Sequence, residues 1–165
     1  MTLAAPEPLA EHHRLDDFHS GVASLDEWLR RRAWANQASG ATRTYVICEG
    51  ERVAGYYALA SGAVDVAHAT GRFRRNMPEP VPVAVLARLA LGRDYQGRGL
   101  GRALFRDCAS RISVAADIIG IRGVVVDAIS DGAKAFYLAI GFDASPFDPM
   151  LLMITLTDMR KGFAP

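Results

Sequence analysis

The chain has 165 residues, 50% of them apolar and 22% charged, with a net charge of +1. This length predicts one domain, spanning 1–165, and the apolar share excludes a disordered or collagen-like chain. Cys48 and Cys108 lie 60 positions apart, so neither a CxxC redox pair nor a cysteine-rich zinc cluster can be drawn.

In chain order, the first 20 or so residues show no period. The start, MTLAAPEPLAEHH, lacks the basic and apolar regions of a signal peptide. With no apolar run near the ~18 residues of a membrane span, the expected compartment is the cytoplasm. His12, His13 and His19 crowd this end and are expected at the surface. None of the four histidines has HExxH spacing, so no metal is expected. Ser24 and Glu27 have capping-box spacing, and Leu25, Trp28, Leu29 and Ala33 follow at helical spacing, which predicts a helix from Ser24 stopped by Gly40. Thr42 to Cys48 and Arg52 to Val64 predict two strands joined by a turn at Gly50-Glu51. Val66 to Pro82 carries three prolines and three arginines and reads as an irregular excursion.

Val83 to Leu91 is a mostly apolar run, as in a central strand covered on both faces. After GRDYQGRGLG, a helix is predicted from Leu100 to about Ile119, with Leu100, Ala103, Leu104, Cys108, Ala109, Ile112, Ala115, Ala116 and Ile119 on one face and Gly120 ending it. Gly123 to Ala128 predicts a buried strand, and Ala133 to Ile140 a short helix with Asp131 as N-cap and Gly141 as C-cap. Met150 to Leu156 predicts a last strand. A short hairpin followed by a crossover predicts a mixed sheet and an α+β fold, and excludes an all-parallel doubly wound sheet.

The chemistry centres on Gln96-Gly97-Arg98-Gly99-Leu100-Gly101-Arg102, between a buried strand and a long helix. Glycines at alternate positions allow close approach of a ligand to the backbone, and the free N–H groups of a helix start attract phosphate. Arg93, Arg98 and Arg102 add charge-assisted donors. The run is neither the G-x-G-x-x-G dinucleotide fingerprint nor a Walker loop. Of the 19 basic residues, 17 are Arg, whose planar fork suits phosphate. High genomic GC content gives the same bias. Three stretches carry arginines and no acid: Trp28 to Cys48, Val66 to Pro78 and Tyr95 to Arg106.

The glycine run resembles the Q/R-x-x-G-x-G/A pyrophosphate loop of the GNAT superfamily of N-acetyltransferases. Ala133-Lys134-Ala135-Phe136-Tyr137 with Gly141-Phe142 resembles that family's A-x-x-F-Y…G-F segment. A narrower resemblance, to the acetyltransferase toxins of toxin–antitoxin modules, rests on six blocks in order. These are Leu25-Asp26 to Leu29, Asn36-Gln37, Thr42 to Val46, Gly55 to Leu59, Arg74 to Pro78 and Leu86 to Ala90. Asp127 departs from the pattern, where a histidine or similar residue is expected.

The resemblance implies a mixed, mostly antiparallel sheet flanked by helices, with the two central parallel strands splayed and acetyl-CoA as cosubstrate. The backbone of Leu89, Ala90 and Leu91 would hold the pantetheine arm. Arg93 and the run Gln96, Gly97, Arg98, Gly99, Leu100, Gly101 and Arg102 would hold the pyrophosphate. Ser130 and Phe136 would line the CoA side, and Tyr137 would protonate the departing thiolate. Arg72, Arg74, Arg75 and Asn76, with Arg30, Arg31 and Arg88, would meet aminoacyl-tRNA. A separate ribbon-helix-helix antitoxin and a homodimer are implied as partners. The sequence shows no His or Glu that stands out as a general base. An ester-linked α-amine lies below the roughly 7.7–8 of a free α-amino group and needs little help to be neutral. Two other readings stay open at this stage: acetylation of a protein or small amine, and a non-catalytic CoA-binding module.

Overall fold

The computed structural model describes residues 2–163. Among these residues two compact units interleave along the chain, one of residues 2–60 and 87–107, the other of 61–86 and 108–163.

In the first unit, β1 (Glu7–Pro8) pairs antiparallel with β2 (Arg43–Glu49), and β2 with β3 (Arg52–Val64). The turn at Gly50-Glu51 is the expected hairpin, with Gly50 at φ 63. The register runs from Arg43↔Leu59 to Glu49↔Arg52, with an irregularity between Ile47 and Cys48. Helices α1 (Ala23–Arg31) and α2 (Ala33–Ser39) cover this part through Leu25, Leu29 and Ala33, which pack with Leu9, Phe18, Val46, Cys48, Val53 and Tyr56. Tyr56 satisfies its buried hydroxyl by donating to the Leu25 carbonyl at 2.7 Å.

One helix was expected here, and two are found. The break at Arg32 (φ −119, ψ −32) is a bend rather than a rupture. Arg32 N–H still donates to Trp28 O at 2.8 Å and Asn36 N–H to Arg32 O at 2.9 Å. Gly40 ends α2 in the left-handed region, as expected. The capping box is not formed. Ser24 lies inside α1, and the N-cap position, Val22, makes no side-chain bond.

The second unit carries the end of β3, the start of β4 (Val81–Leu91), β5 (Gly123–Asp127), β6 (Asp143–Ala144) and β7 (Leu151–Thr155). Its strand order is β3-β4-β5-β7-β6. β4 and β5 are parallel, in register at Ala84↔Val124 and Val85↔Val125, and β4 runs on to Leu91. β7 lies antiparallel to both β5 and β6. The mixed, mostly antiparallel sheet is the expected one. Gly123 is required by close approach, because a Cβ there would stand 2.0 Å from the Ile154 carbonyl oxygen.

Several boundaries differ from the sequence reading. Helix α4 runs Leu100–Ala116, and Ile119 is 56% exposed rather than packed. Ala103 is also exposed, while Phe105, not expected in the core, is fully buried. The last strand stops at Thr155, whose hydroxyl accepts from Asp158 N–H and starts an unforeseen helix α6 (Leu156–Gly162). The excursion contains the short helix α3 (Gly71–Arg74), and its Val81 and Pro82 belong to β4.

Candidate active site

The glycine run lies between the end of β4 and the start of α4 (Leu100–Ala116). β4 ends at Leu91, and Gly92 N–H bonds back to Ala54 O at 2.8 Å. A 3-10 turn, Arg93–Tyr95, then leads through Gln96 into α4. Gly97 and Gly99 both hold φ +76, which side-chain residues avoid. A Cβ on either would meet nothing within 4 Å. Packing therefore does not demand these glycines; backbone conformation and open approach do. α4 has 17 residues and no acid in its first turn, so its own sequence puts no carboxylate against its positive end. Arg93, Arg98 and Arg102 are exposed, and the Arg98 guanidinium lies 5.8 Å from the Tyr95 ring centre. Leu100 and Gly101 open the helix half-buried. Upstream, Leu89 and Leu91 are half-buried and Ala90 is 5% exposed. This cradle fits the pyrophosphate of acetyl-CoA.

Gln96 has a different role from the expected one. Its Nε2 donates to Ser20 O at 2.8 Å and to Leu91 O at 2.9 Å, so the amide pins the loop instead of facing outward. Ser20 is fixed in turn by the buried Asp26 carboxylate. Asp26 entered the sequence analysis only as part of the block Leu25-Asp26 to Leu29, and Ser20 not at all. The available signal was an acid placed beside Leu25 on the buried face of a predicted helix.

In the second unit, α5 (Asp131–Ile140) presents Tyr137. The N-cap is Ser130, not Asp131: Ser130 Oγ accepts from Ala133 N–H at 3.1 Å. Ser130 is thus engaged by its own helix. Gly141 closes the helix as expected. Tyr137 is buried, with its ring edge-on to Phe136 at 5.1 Å and to Phe142 at 5.3 Å. Burial, and secondarily Cys108, pushes the phenol well above its ordinary value of 10. Its hydroxyl therefore keeps its proton throughout the physiological range.

The basic residues separate into free and engaged. Arg74, Arg75 and Asn76 are exposed, with Asn76 left-handed at φ 59. Arg72 instead gives Nε and Nη2 to the Asp158 carboxylate at 2.6 and 2.7 Å. Arg122, which the sequence reading passed over, donates to the carbonyls of Phe73 at 2.7 Å and Arg72 at 2.8 Å, holding the end of α3. In the first unit, Arg30 donates to Phe18 O at 2.8 Å, while Arg31 is exposed. Arg88 is half-buried, 5.2 Å from the Trp28 ring centre.

His12 and His19 are exposed as expected, but His13 is not. Its Nδ1 accepts from Ala10 N–H at 2.9 Å, which places its proton on Nε2, 2.7 Å from Glu7 Oε1. Glu7, His12 and His13 gather their polar atoms within 4.8 Å, but His13 Nε2 is committed as a donor there.

The Acetyltransferase (GNAT) family model matches residues 9–142. A tRNA-acetylating toxin of Mycobacterium tuberculosis is 50% identical over 157 residues, covering 95% of each chain. A probable toxin TacT of Sinorhizobium fredii is 30% identical, over 94% of this chain and 92% of that one. Among solved structures, AtaT complexed with acetyl-methionyl-tRNAfMet superposes with a TM-score of 0.90 at 24% identity, covering 99% of this chain and all of that one. AtaTR bound with AcCoA gives a TM-score of 0.83 at 25% identity, covering 98% of each. A cradle that fits a pyrophosphate, the fold and the sequence agree: the chain belongs to the acetyltransferase (GNAT) family.

Proposed function

We propose that this chain is an acetyl-CoA-dependent N-acetyltransferase toxin that acetylates the amino group of aminoacyl-tRNA and so blocks translation. The observation that carries this reading is 50% identity, over 95% of both chains, to a tRNA-acetylating toxin. The Gly97–Gly99 cradle supports acetyl-CoA as cosubstrate, and the exposed Arg74 and Arg75 support a polyanionic acceptor.

Acetyl-CoA supplies the acetyl group as an activated thioester. The loop amides from Gly97 to Gly101, with Arg93, Arg98 and Arg102, hold its pyrophosphate, and the backbone of Leu89 to Leu91 holds the pantetheine arm. The acceptor amine attacks as the neutral base, forming an N–C bond as the C–S bond breaks. An ester-linked α-amine lies below the roughly 7.7–8 of a free α-amino group, so a substantial fraction is already neutral near pH 7. Tyr137 donates its hydroxyl hydrogen to the departing sulfur. A thiol has a pKa of about 8.5, and burial pushes the phenol far above that. Proton loss from Tyr137 is therefore matched by uptake of the proton the amine sheds, and the phenol ends as it began.

A ribbon-helix-helix antitoxin, a homodimer and a cytoplasmic location complete the proposal. The described residues contain no helix long and apolar enough to cross a membrane. The test is mass spectrometry of a charged tRNA pool after incubation with the protein and acetyl-CoA. An acetyl mass on one or more aminoacyl groups is expected. Acetylated protein or free amine with unmodified aminoacyl-tRNA would overturn the reading.

A further inference from the structure

The segment His19–Gly21 touches the cofactor loop at three places. His19 O accepts from Arg93 N–H at 2.8 Å. Ser20 O accepts from Gln96 Nε2 at 2.8 Å. Gly21, at φ +98, lies so close under Arg93 that a Cβ there would meet the guanidinium at 2.9 Å. The segment is a strap along the loop, and a strap is only as rigid as its anchor.

The anchor is Asp26, which is 3% exposed. Its Oδ1 accepts from Ser20 N–H at 3.0 Å and from Ser20 Oγ at 2.5 Å. Its Oδ2 lies 3.2 Å from the same N–H. Ser20 Oγ also accepts from Val22 N–H at 3.1 Å. A buried carboxylate is costly unless fully hydrogen-bonded, and bonds to an ionised acceptor are among the strongest. Asp26 thus fixes both the amide and the hydroxyl of the residue whose carbonyl holds Gln96. The His19 ring also lies nearby, its Nδ1 3.6 Å from Asp26 Oδ2.

We infer that Asp26 is a positioning residue for acetyl-CoA binding, acting through Ser20 and Gln96 on the loop Gly97–Gly101. The inference rests on that loop being the cofactor site. Asp26 touches no part of the ligand. It sets the geometry of amides that do, and such amides must already be in place when the pyrophosphate arrives.

The experiment measures acetyl-CoA affinity by calorimetry, and steady-state kinetics, on Asp26→Asn, Gln96→Leu, the double variant and Gly99→Glu. Asp26→Asn keeps the shape but can offer one oxygen to two donors. Each single relay variant should raise Kd and KM for acetyl-CoA about tenfold, equivalent to about 1.4 kcal/mol. Turnover at saturating acetyl-CoA should stay within about twofold, because a merely unstable protein loses kcat instead. The double variant should be little worse than either single, since both break one chain of contacts. Unchanged affinity in Asp26→Asn, or full additivity with Gln96→Leu, overturns the relay. Gly99→Glu separates the underlying reading: if it too binds normally, the loop is not the cofactor site.

Discussion

Two arginines, not three, should carry the phosphate contacts of the 72–76 segment. Arg72 spends both prongs of its fork on Asp158, at 2.6 and 2.7 Å, and this bond holds the Asp158 carboxyl below its ordinary range. Arg74 and Arg75 are exposed on the same short helix and its end. Each phosphate contact contributes a slope of about 0.9 to the dependence of log affinity on log salt. Replacing Arg74 and Arg75 by Ala should therefore flatten the slope for tRNA by about 1.8. Arg72→Ala combined with Asp158→Asn deletes the pair without changing net charge, and should leave the slope where it was. α3 survives this loss because Phe73 plugs the core at 1% exposure and Arg122 holds two of its carbonyls. The pair joins an exposed guanidinium to a half-buried carboxylate, and ion pairs of this kind contribute little to stability. The assay is fluorescence anisotropy of labelled tRNA between about 50 and 200 mM salt. A slope that falls by a further 0.9 or so in the Arg72/Asp158 variant refutes the assignment, as does an unchanged slope in the Arg74/Arg75 variant.

Tyr137→Phe keeps the ring packed against Phe136 and Phe142 and removes only the hydroxyl; acetyl-tRNA formation should drop about 10²–10⁴-fold with acetyl-CoA affinity preserved. Full activity in that variant would remove Tyr137 from the chemistry, and an inactive variant that still arrests growth would separate toxicity from acetylation. Cys48, 1% exposed, has its thiol pushed from 9.0 up to about 11, first by burial and then by Glu7. Its folded pKa is raised, so its contribution to stability is complete below pH 9 and is lost as pH climbs toward 11. Denaturant melts across that window should show a steeper loss for the native chain than for Cys48→Ala, and equal slopes would count against the buried-thiol account.

The sequence was most legible where local rules suffice. The hairpin of Arg43–Glu49 and Arg52–Val64, the central strand, the start of α4 at Leu100 and the caps at Gly40 and Gly141 all follow from periodicity and glycine chemistry. It was least legible where one side chain chooses between local and distant partners. Ser24 and Glu27 had the spacing of a cap, yet Asp26 instead reaches back to Ser20, beyond the start of the helix. Asp131 had the right type for an N-cap, yet Ser130, one residue earlier, has the extended backbone (φ −160, ψ 166) that the position requires. The run Leu151–Leu156 reads as one apolar strand, and nothing but the Thr155 hydroxyl marks the point where it turns to helix.

The candidate site divides along the same line. Gly97, Gly99 and Tyr137 could be named because their chemistry is carried by residue type and spacing within a short stretch. The long-range ties that hold such groups in place could not. Gln96 reaches Ser20 across 76 positions, Arg72 reaches Asp158 across 86, and Arg122 reaches Phe73 across 49. In each case one side chain ties together two segments far apart in sequence. A loop exposed to a polyanion gains least from burial and most from such ties, because each one removes freedom that binding would otherwise have to remove. Arg122 illustrates the cost of missing them. Read from sequence it is one of 17 arginines, while in the fold its charge sits at the carbonyl end of α3, where a cation is favoured. Its replacement should loosen the segment bearing Arg74 and Arg75 even though it makes no phosphate contact in the proposed complex.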